Sequence, residues 1–297
     1  MHTVLVRSYV LTVELVLLQR SMIETVVADP SAASVAMTQG ELFQEIAANR
    51  SLALSFWSNI ALAGLSILLF VYMGRNVEDA RAQLIFVATL MVPLVSISSY
   101  TGLVSGLTVG FVDVPYPGGG TEEALIMWGR YLTWAFSTPM ILIALGVLAG
   151  SNLTKLFTAV VMDIGMCITG LAAALTTSSL GLRWFWYAIS CAFFLAVIYI
   201  LLYEWPDDAA AAGTSEIFNT LKLLTVVLWF GYPIFWALGS EGLNVLTTTQ
   251  TSWAYSLLDI GAKYIFAYLL LRWVAANESV ISSVASGTLG SAVPADD

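Results

Sequence analysis

The spacing of charge along the chain constrains its fold more than any other feature. Between Arg50 and Arg75 lie 24 uncharged residues, between Arg81 and Asp113 lie 31, between Arg130 and Lys155 lie 24, and between Arg183 and Glu204 lie 20. A helix needs about 20 mostly apolar residues to cross the hydrocarbon of a bilayer. Reading all such runs predicts seven spans, at 51–74, 82–111, 125–149, 154–178, 182–204, 215–239 and 249–275. A membrane barrel would need alternating segments of about ten residues, and these runs are continuous and longer. Breakers separate them: Gly74-Arg75-Asn76, Pro115 through Gly120, Gly150-Ser151-Asn152, Trp205-Pro206-Asp207-Asp208 and Gly239 through Gly242. Such short connections pack neighbouring helices antiparallel. The expected fold is an all-α membrane protein, a seven-transmembrane-helix bundle in membrane lipid.

The totals agree. Of the 297 residues 59% are hydrophobic and 10% charged, too few charges for a water-facing surface of this size. The net charge of −9 argues against nucleic acid as a partner, since phosphate binding needs clustered Lys and Arg. The acidic residues gather in loops and tails, which suits either a high-salt medium or ordinary solvated loops. His2 is the only histidine, and the two cysteines, Cys167 and Cys191, sit singly in apolar runs. No metal site and no histidine-based triad can be assembled, so no catalytic residues are assigned and the chain does not read as an enzyme.

Basic residues give an orientation. With the N-terminus outside, the inner ends hold Arg75, Arg81, Lys155, Lys222 and Arg272, and the outer short segments hold only Arg50 and Arg183. The expected protein is therefore a multi-pass cell-membrane protein, N-terminus extracellular and C-terminus cytoplasmic. Residues 1–50 form an extracellular segment: 1–37 read as signal-like or disordered, and 38–50 as a short amphipathic helix over the mouth of the bundle. Thr38 followed by Glu41 fits a capping box there. Residues 51–276 make the membrane domain and 277–297 a cytoplasmic tail.

Among the charged residues that fall within the spans, four stand out: Arg130, Asp163, Asp259 and Lys263. A charge at the bilayer centre costs roughly 2.5–3.5 kcal/mol even on the mild insertion scale, so these face the interior and need partners. Asp259 and Lys263, four apart, share one helical face. They form either a self-cancelling ion pair or a functional site. A desolvated lysine becomes a neutral nucleophile suited to a Schiff base with an aldehyde, and Asp259 then serves as its counter-charge. In the third span Arg130, Thr133, Trp134 and Ser137 lie at i, i+3, i+4 and i+7, one face rich in donors that invites an anion. The hydroxyls could equally bond back to their own helix. In the sixth span Trp229, Tyr232, Pro233 and Trp236 line one face, as plain packing or as the wall of a slot for a long flat ligand.

The runs Arg130-Tyr131-Leu132-Thr133-Trp134-Ala135-Phe136-Ser137-Thr138-Pro139, Trp229-Phe230-Gly231-Tyr232-Pro233-Ile234-Phe235-Trp236 and Trp253 through Lys263 resemble three helices of the microbial rhodopsins. The resemblance covers about residues 38–280 and is nearest to the chloride-pumping branch of haloarchaea. It implies all-trans retinal on Lys263 as a protonated Schiff base, with Asp259 as one counter-ion. Tyr100, Trp134, Trp229, Tyr232 and Trp236 would line the retinal pocket. Proton-pumping relatives carry aspartates at the positions of Thr133 and Ala144, and both carboxylates are absent here. Asp163 would bond Thr138, a structural role. A homotrimer, with or without a carotenoid, is implied by resemblance alone.

The expected function is thus a light-driven inward chloride pump. Two positive charges, Arg130 and the Schiff base, face one negative charge, Asp259, and a mobile anion beside Arg130, Thr133 and Ser137 restores neutrality. Lys222 and Thr225 fall on the inner release path, although Lys222 equally reads as a positive-inside anchor. Glu241 falls near the outer uptake region. Two other functions compete: a sensory photoreceptor signalling through a transducer partner, and a seven-helix transporter without retinal in which Asp259 and Lys263 merely pair.

Overall fold

The computed structural model describes residues 37–288. The signal-like or disordered reading of 1–37 falls almost wholly outside the described residues, as do residues 289–297 of the expected tail. Helix α1 spans Gln39–Ala48 and opens directly after Thr38. Seven further helical segments are long and apolar enough to cross a membrane. They are α2 (Arg50–Gly74), α3 (Ala80–Val104), α4 (Gly129–Leu148), α5 (Leu153–Leu175), α6 with α7 (Leu180–Tyr199 and Trp205–Ala211), α8 (Ser215–Leu238), and α9 with α10 (Thr248–Asp259 and Phe266–Ala276).

The helix starts are written in the linkers. Asn49, Asp79, Asn152 and Ser179 each accept hydrogen bonds from backbone N–H groups of the helix that follows. Thr247 and Gln250 form a reciprocal capping box before α9. Such caps satisfy donors that a helix leaves unpaired in its first turn. Between them the spans turn apolar side chains outward, Leu65, Leu68, Phe136, Phe157 and Leu223 among them, and bury polar ones, including Ser55, Asn59, Arg130, Asp163, Asp259 and Lys263. That inversion suits a lipid surround.

Three departures from the expected spans have physical causes. The second span ends at Val104, not 111, because Gly106 turns the chain at φ +75°. Residues 110–126 then form an antiparallel hairpin, β1 (Gly110–Pro115) with β2 (Thr121–Ile126), so α4 opens at Gly129 rather than 125. The apolar residues at 107–112 continue the run of the helix before them, and a count of uncharged residues cannot separate the two. Gly118, Gly119 and Gly120 all have positive φ in the hairpin loop. The fifth span runs on past Trp205-Pro206 to Ala211 through a π-turn at Ile200–Glu204. Pro206 falls in the first turn of α7, where a missing N–H is harmless. Finally, α11 (Glu278–Thr288) occupies part of the expected tail. Glu278 Oε1 accepts from the backbone N–H of Glu78 at 2.7 Å and from that of Asp79.

The hairpin and α1 lie at one end of the bundle, α11 at the other. Gly106 seats α1: a Cβ there would fall 2.7 Å from Phe43 N and 2.9 Å from the Gln39 carbonyl. Its left-handed backbone alone costs an alanine about 1–2 kcal/mol. Gly106→Ala should therefore lower the thermal midpoint and expose α1 to proteolysis; an unchanged midpoint would contradict this seating.

Candidate functional site

The centre of the bundle holds a carboxylate with both oxygens engaged. Asp259 Oδ2 accepts from Tyr100 Oη at 2.7 Å and Oδ1 accepts from Tyr232 Oη at 2.6 Å. Lys263 Nζ lies 3.0 Å from Oδ2, and both residues are 1% exposed. The ammonium is in ion-pair contact yet has no hydrogen-bond partner of good alignment. A π-turn at Ile260–Ile265 carries Lys263, so the helical register resets just after Asp259. Wide turns of this kind are rare and recur at functional sites. The i, i+4 spacing is visible in the sequence; the widened turn is not.

Arg130 lies on the other side of Tyr100. Its Nη1 donates to Tyr100 Oη at 3.1 Å and its Nη2 to Ser252 Oγ at 2.9 Å, while Nε has no partner. Among the described residues no carboxylate lies within ion-pair distance of the guanidinium, which is 3% exposed. Thr133 Oγ1 donates to the Gly129 carbonyl at 2.9 Å and also meets Ser99 Oγ. Ser137 Oγ is fully buried with no partner. The structure thus brings Arg130, Tyr100, Asp259, Lys263 and Tyr232 into one connected network. Thr133 bonds back to its own helix, and Ser137 stands open.

Trp134, Trp229, Tyr232 and Trp236 line an apolar cavity of about 670 Å³, counted with its open mouth. Its lining, almost wholly aromatic and apolar, is of the kind that holds flat apolar small molecules. Tyr187 stacks on Trp236 at 4.6 Å, and Trp134 meets Tyr232 and Tyr255 edge-on at 5.3 and 5.4 Å. Tyr100 is not on this wall; it sits against Asp259. Tyr232 joins the two regions, lining the cavity and donating to the carboxylate. Thr138 Oγ1 donates to Asp163 Oδ2 at 2.6 Å at the cavity edge.

The remaining candidates lie apart from this centre. Lys222 Nζ is half-buried and donates to Asn219 Oδ1 at 2.8 Å. Thr225, one turn on, is buried with an unpartnered hydroxyl. Glu241 is at the hairpin end and 6% exposed. It accepts from Tyr131 Oη at 2.8 Å, which accepts in turn from Trp236 Nε1 at 2.7 Å; Arg183 Nε donates to the Glu241 carbonyl at 2.6 Å. Tyr131, Tyr255, Ser99 and Ser252 were not singled out from sequence. A tyrosine or serine inside a span carries no signal of its partner.

A family described as bacteriorhodopsin-like protein matches residues 50–277. The chain belongs to this family of seven-helix membrane proteins. Its relatives include halorhodopsins. That of Halobacterium sp. (strain SG1) is 69% identical over 284 residues, covering 93% of this chain and 100% of its own. A solved structure of halorhodopsin, a light-driven chloride pump, superposes with a TM-score of 0.77 at 59% identity, covering 79% of this chain and 99% of that one. The bromide-bound halorhodopsin of Halobacterium salinarum gives 0.77 at 58% identity, covering 80% and 99%.

Burial raises the pKa of the Glu241 carboxyl, against the Tyr131 hydrogen bond and the charges of Arg183 and Arg130. A raised value favours the fold while the group is protonated. That contribution is complete below the ordinary carboxylate range and is lost as pH climbs through the raised value. Wild type should therefore lose thermal stability relative to Glu241→Gln as pH rises through this window. Parallel melting profiles for the two would contradict it.

Proposed function

We propose that this chain is a light-driven inward chloride pump, with the hairpin end extracellular and all-trans retinal carried on Lys263. The observation that carries the proposal is the charge count of the buried network. Arg130 and Lys263 bring two positive charges and Asp259 one negative, and Asp259 is already engaged by Tyr100, Tyr232 and Lys263. An uncompensated buried charge is costly. A mobile anion is the economical remedy, and the unpartnered Arg130 Nε and Ser137 Oγ are donors for it.

The residues fit retinal. Lys263 offers a buried amine beside a single carboxylate, and the aromatic slot beside Tyr232 takes a long flat apolar molecule. When bound, that group supplies light absorption and a change of shape about one double bond. The rest is the work of the chain. Lys263 holds its proton at Nζ, and Asp259 balances it. Thr133 stands where a carboxylate would accept that proton; a hydroxyl bonded to the Gly129 carbonyl cannot take it. The proton therefore stays, and the anion is the species free to move. Trp134, Trp229 and Trp236 keep water off the slot. Beyond them Thr225 presents a buried free hydroxyl and Lys222 a cation, a route for the anion toward the cytoplasm. At the other end Glu241, held by Tyr131, borders uptake. The relatives agree, since the matching solved structures include a light-driven chloride pump and a bromide-bound form.

Chloride titration of the retinal-reconstituted protein should shift its visible band, and illuminated vesicles should take up chloride. Lys263→Ala should lose the band. Thr133→Asp adds a negative charge beside the proposed anion and should weaken chloride by at least about tenfold, a change of roughly 1.4 kcal/mol. An unchanged chloride affinity in Thr133→Asp would contradict the anion site.

A further inference from the structure

Helix α2 supplies none of the site groups described above, yet it reaches the arginine. Arg130 Nη2 donates to Ser252 Oγ on α9 at 2.9 Å. Ser252 Oγ lies 2.7 Å from Ser55 Oγ on α2, and Ser55 Oγ lies 2.7 Å from the Leu52 carbonyl. Both serines are 0% exposed. A hydroxyl has one hydrogen to give, a carbonyl only accepts and a guanidinium only donates. Ser55 therefore gives its hydrogen to Leu52, Ser252 gives its own to Ser55, and the free lone pair of Ser252 receives Arg130. The direction of the whole chain is fixed, and it ends on a backbone carbonyl.

Every acceptor in this chain is neutral. A carboxylate in place of either serine would hold the guanidinium as firmly but would cancel its charge. An apolar residue would leave Nη2 unpaired and the long side chain free to swing. The opposite side is built alike: Nη1 reaches Tyr100, a neutral hydroxyl that spends its hydrogen on Asp259. The guanidinium is thus fixed at both terminal nitrogens, keeps its full charge, and has Nε left over.

We infer that Ser252 and Ser55 are positioning residues for anion binding, a two-serine relay that holds Arg130 in place without neutralising it. The inference rests on the anion-pump reading of the site. Ser256 supplies a control on the same interface. Its Oγ donates to the Ser55 carbonyl at 3.2 Å, so it joins α9 to α2 without entering the relay.

The test is halide titration of the full chain, reconstituted with retinal and read by its visible spectrum, beside thermal melting. A hydrogen bond to a charged group is among the stronger ones, so Ser252→Ala should weaken chloride by about tenfold or more. Ser252→Thr, which restores the hydroxyl, should bind as wild type does. Ser55→Ala should weaken chloride by a smaller factor and add little in the Ser252→Ala background, because one chain is broken in both. Ser252→Asp should abolish the halide response. Ser256→Ala should lower the melting midpoint and leave chloride affinity unchanged. The relay is overturned if Ser252→Ala binds chloride as wild type does, if the two alanine variants add in full, or if Ser256→Ala loses as much affinity as Ser252→Ala. A wild type whose spectrum ignores chloride and bromide overturns the pump reading itself, and the relay's role with it.

Discussion

The site depends on a carboxylate whose two oxygens are both already engaged. Both oxygens of Asp259 are occupied by tyrosine hydroxyls, with Lys263 in contact as well. Arg130 comes close enough to share Tyr100 but, among the described residues, reaches no carboxylate. Buried charges normally find opposite charges, and among the described residues Arg130 finds none within ion-pair distance. The aromatic slot, the fixed guanidinium and the open Ser137 hydroxyl all take their meaning from that shortfall.

The spans were legible because hydropathy is local: whether a residue run can lie in lipid depends on little besides the run. The Asp259–Lys263 pair was legible because two ionisable groups stand out against an apolar background. Hydroxyl groups give no such contrast. Ser58, Thr101 and Thr158 bond back to carbonyls four residues earlier on their own helices, and nothing in the sequence separates them from Ser55 and Ser252. Thr133 shows the ambiguity in one side chain, bonding back to Gly129 and also meeting Ser99.

Backbone detail was also hidden. The hairpin at 110–126 begins inside an apolar run and carries Asp113, Glu122 and Glu123, which read as an ordinary acidic loop. The π-turns beside Asp259 and after Tyr199 use the residue types of the helices that flank them. Pro206 signals a stop, and the chain passes it because the π-turn has already reset the register. Tyr100 entered through family resemblance alone, and its place against Asp259 rather than on the cavity wall is a tertiary fact.

The first and last described spans are stitched together over the opening turns of the first, from Asn49 to Asn59. Asn49 meets Thr249, Trp253 meets Ser51, Ser252 and Ser256 meet Ser55, and Tyr264 reaches the Asn59 carbonyl, over sequence separations near 200. During synthesis the first span enters the bilayer long before its partner exists. Its polar groups are provided for in the interval: Ser55 can hold the Leu52 carbonyl, and Asn59 Nδ2 the Ser55 carbonyl, with no other helix present. The first span can thus wait in lipid with its donors satisfied. Its acceptor lone pairs are kept back for the last helix, whose arrival closes the ring and gives Arg130 its seat.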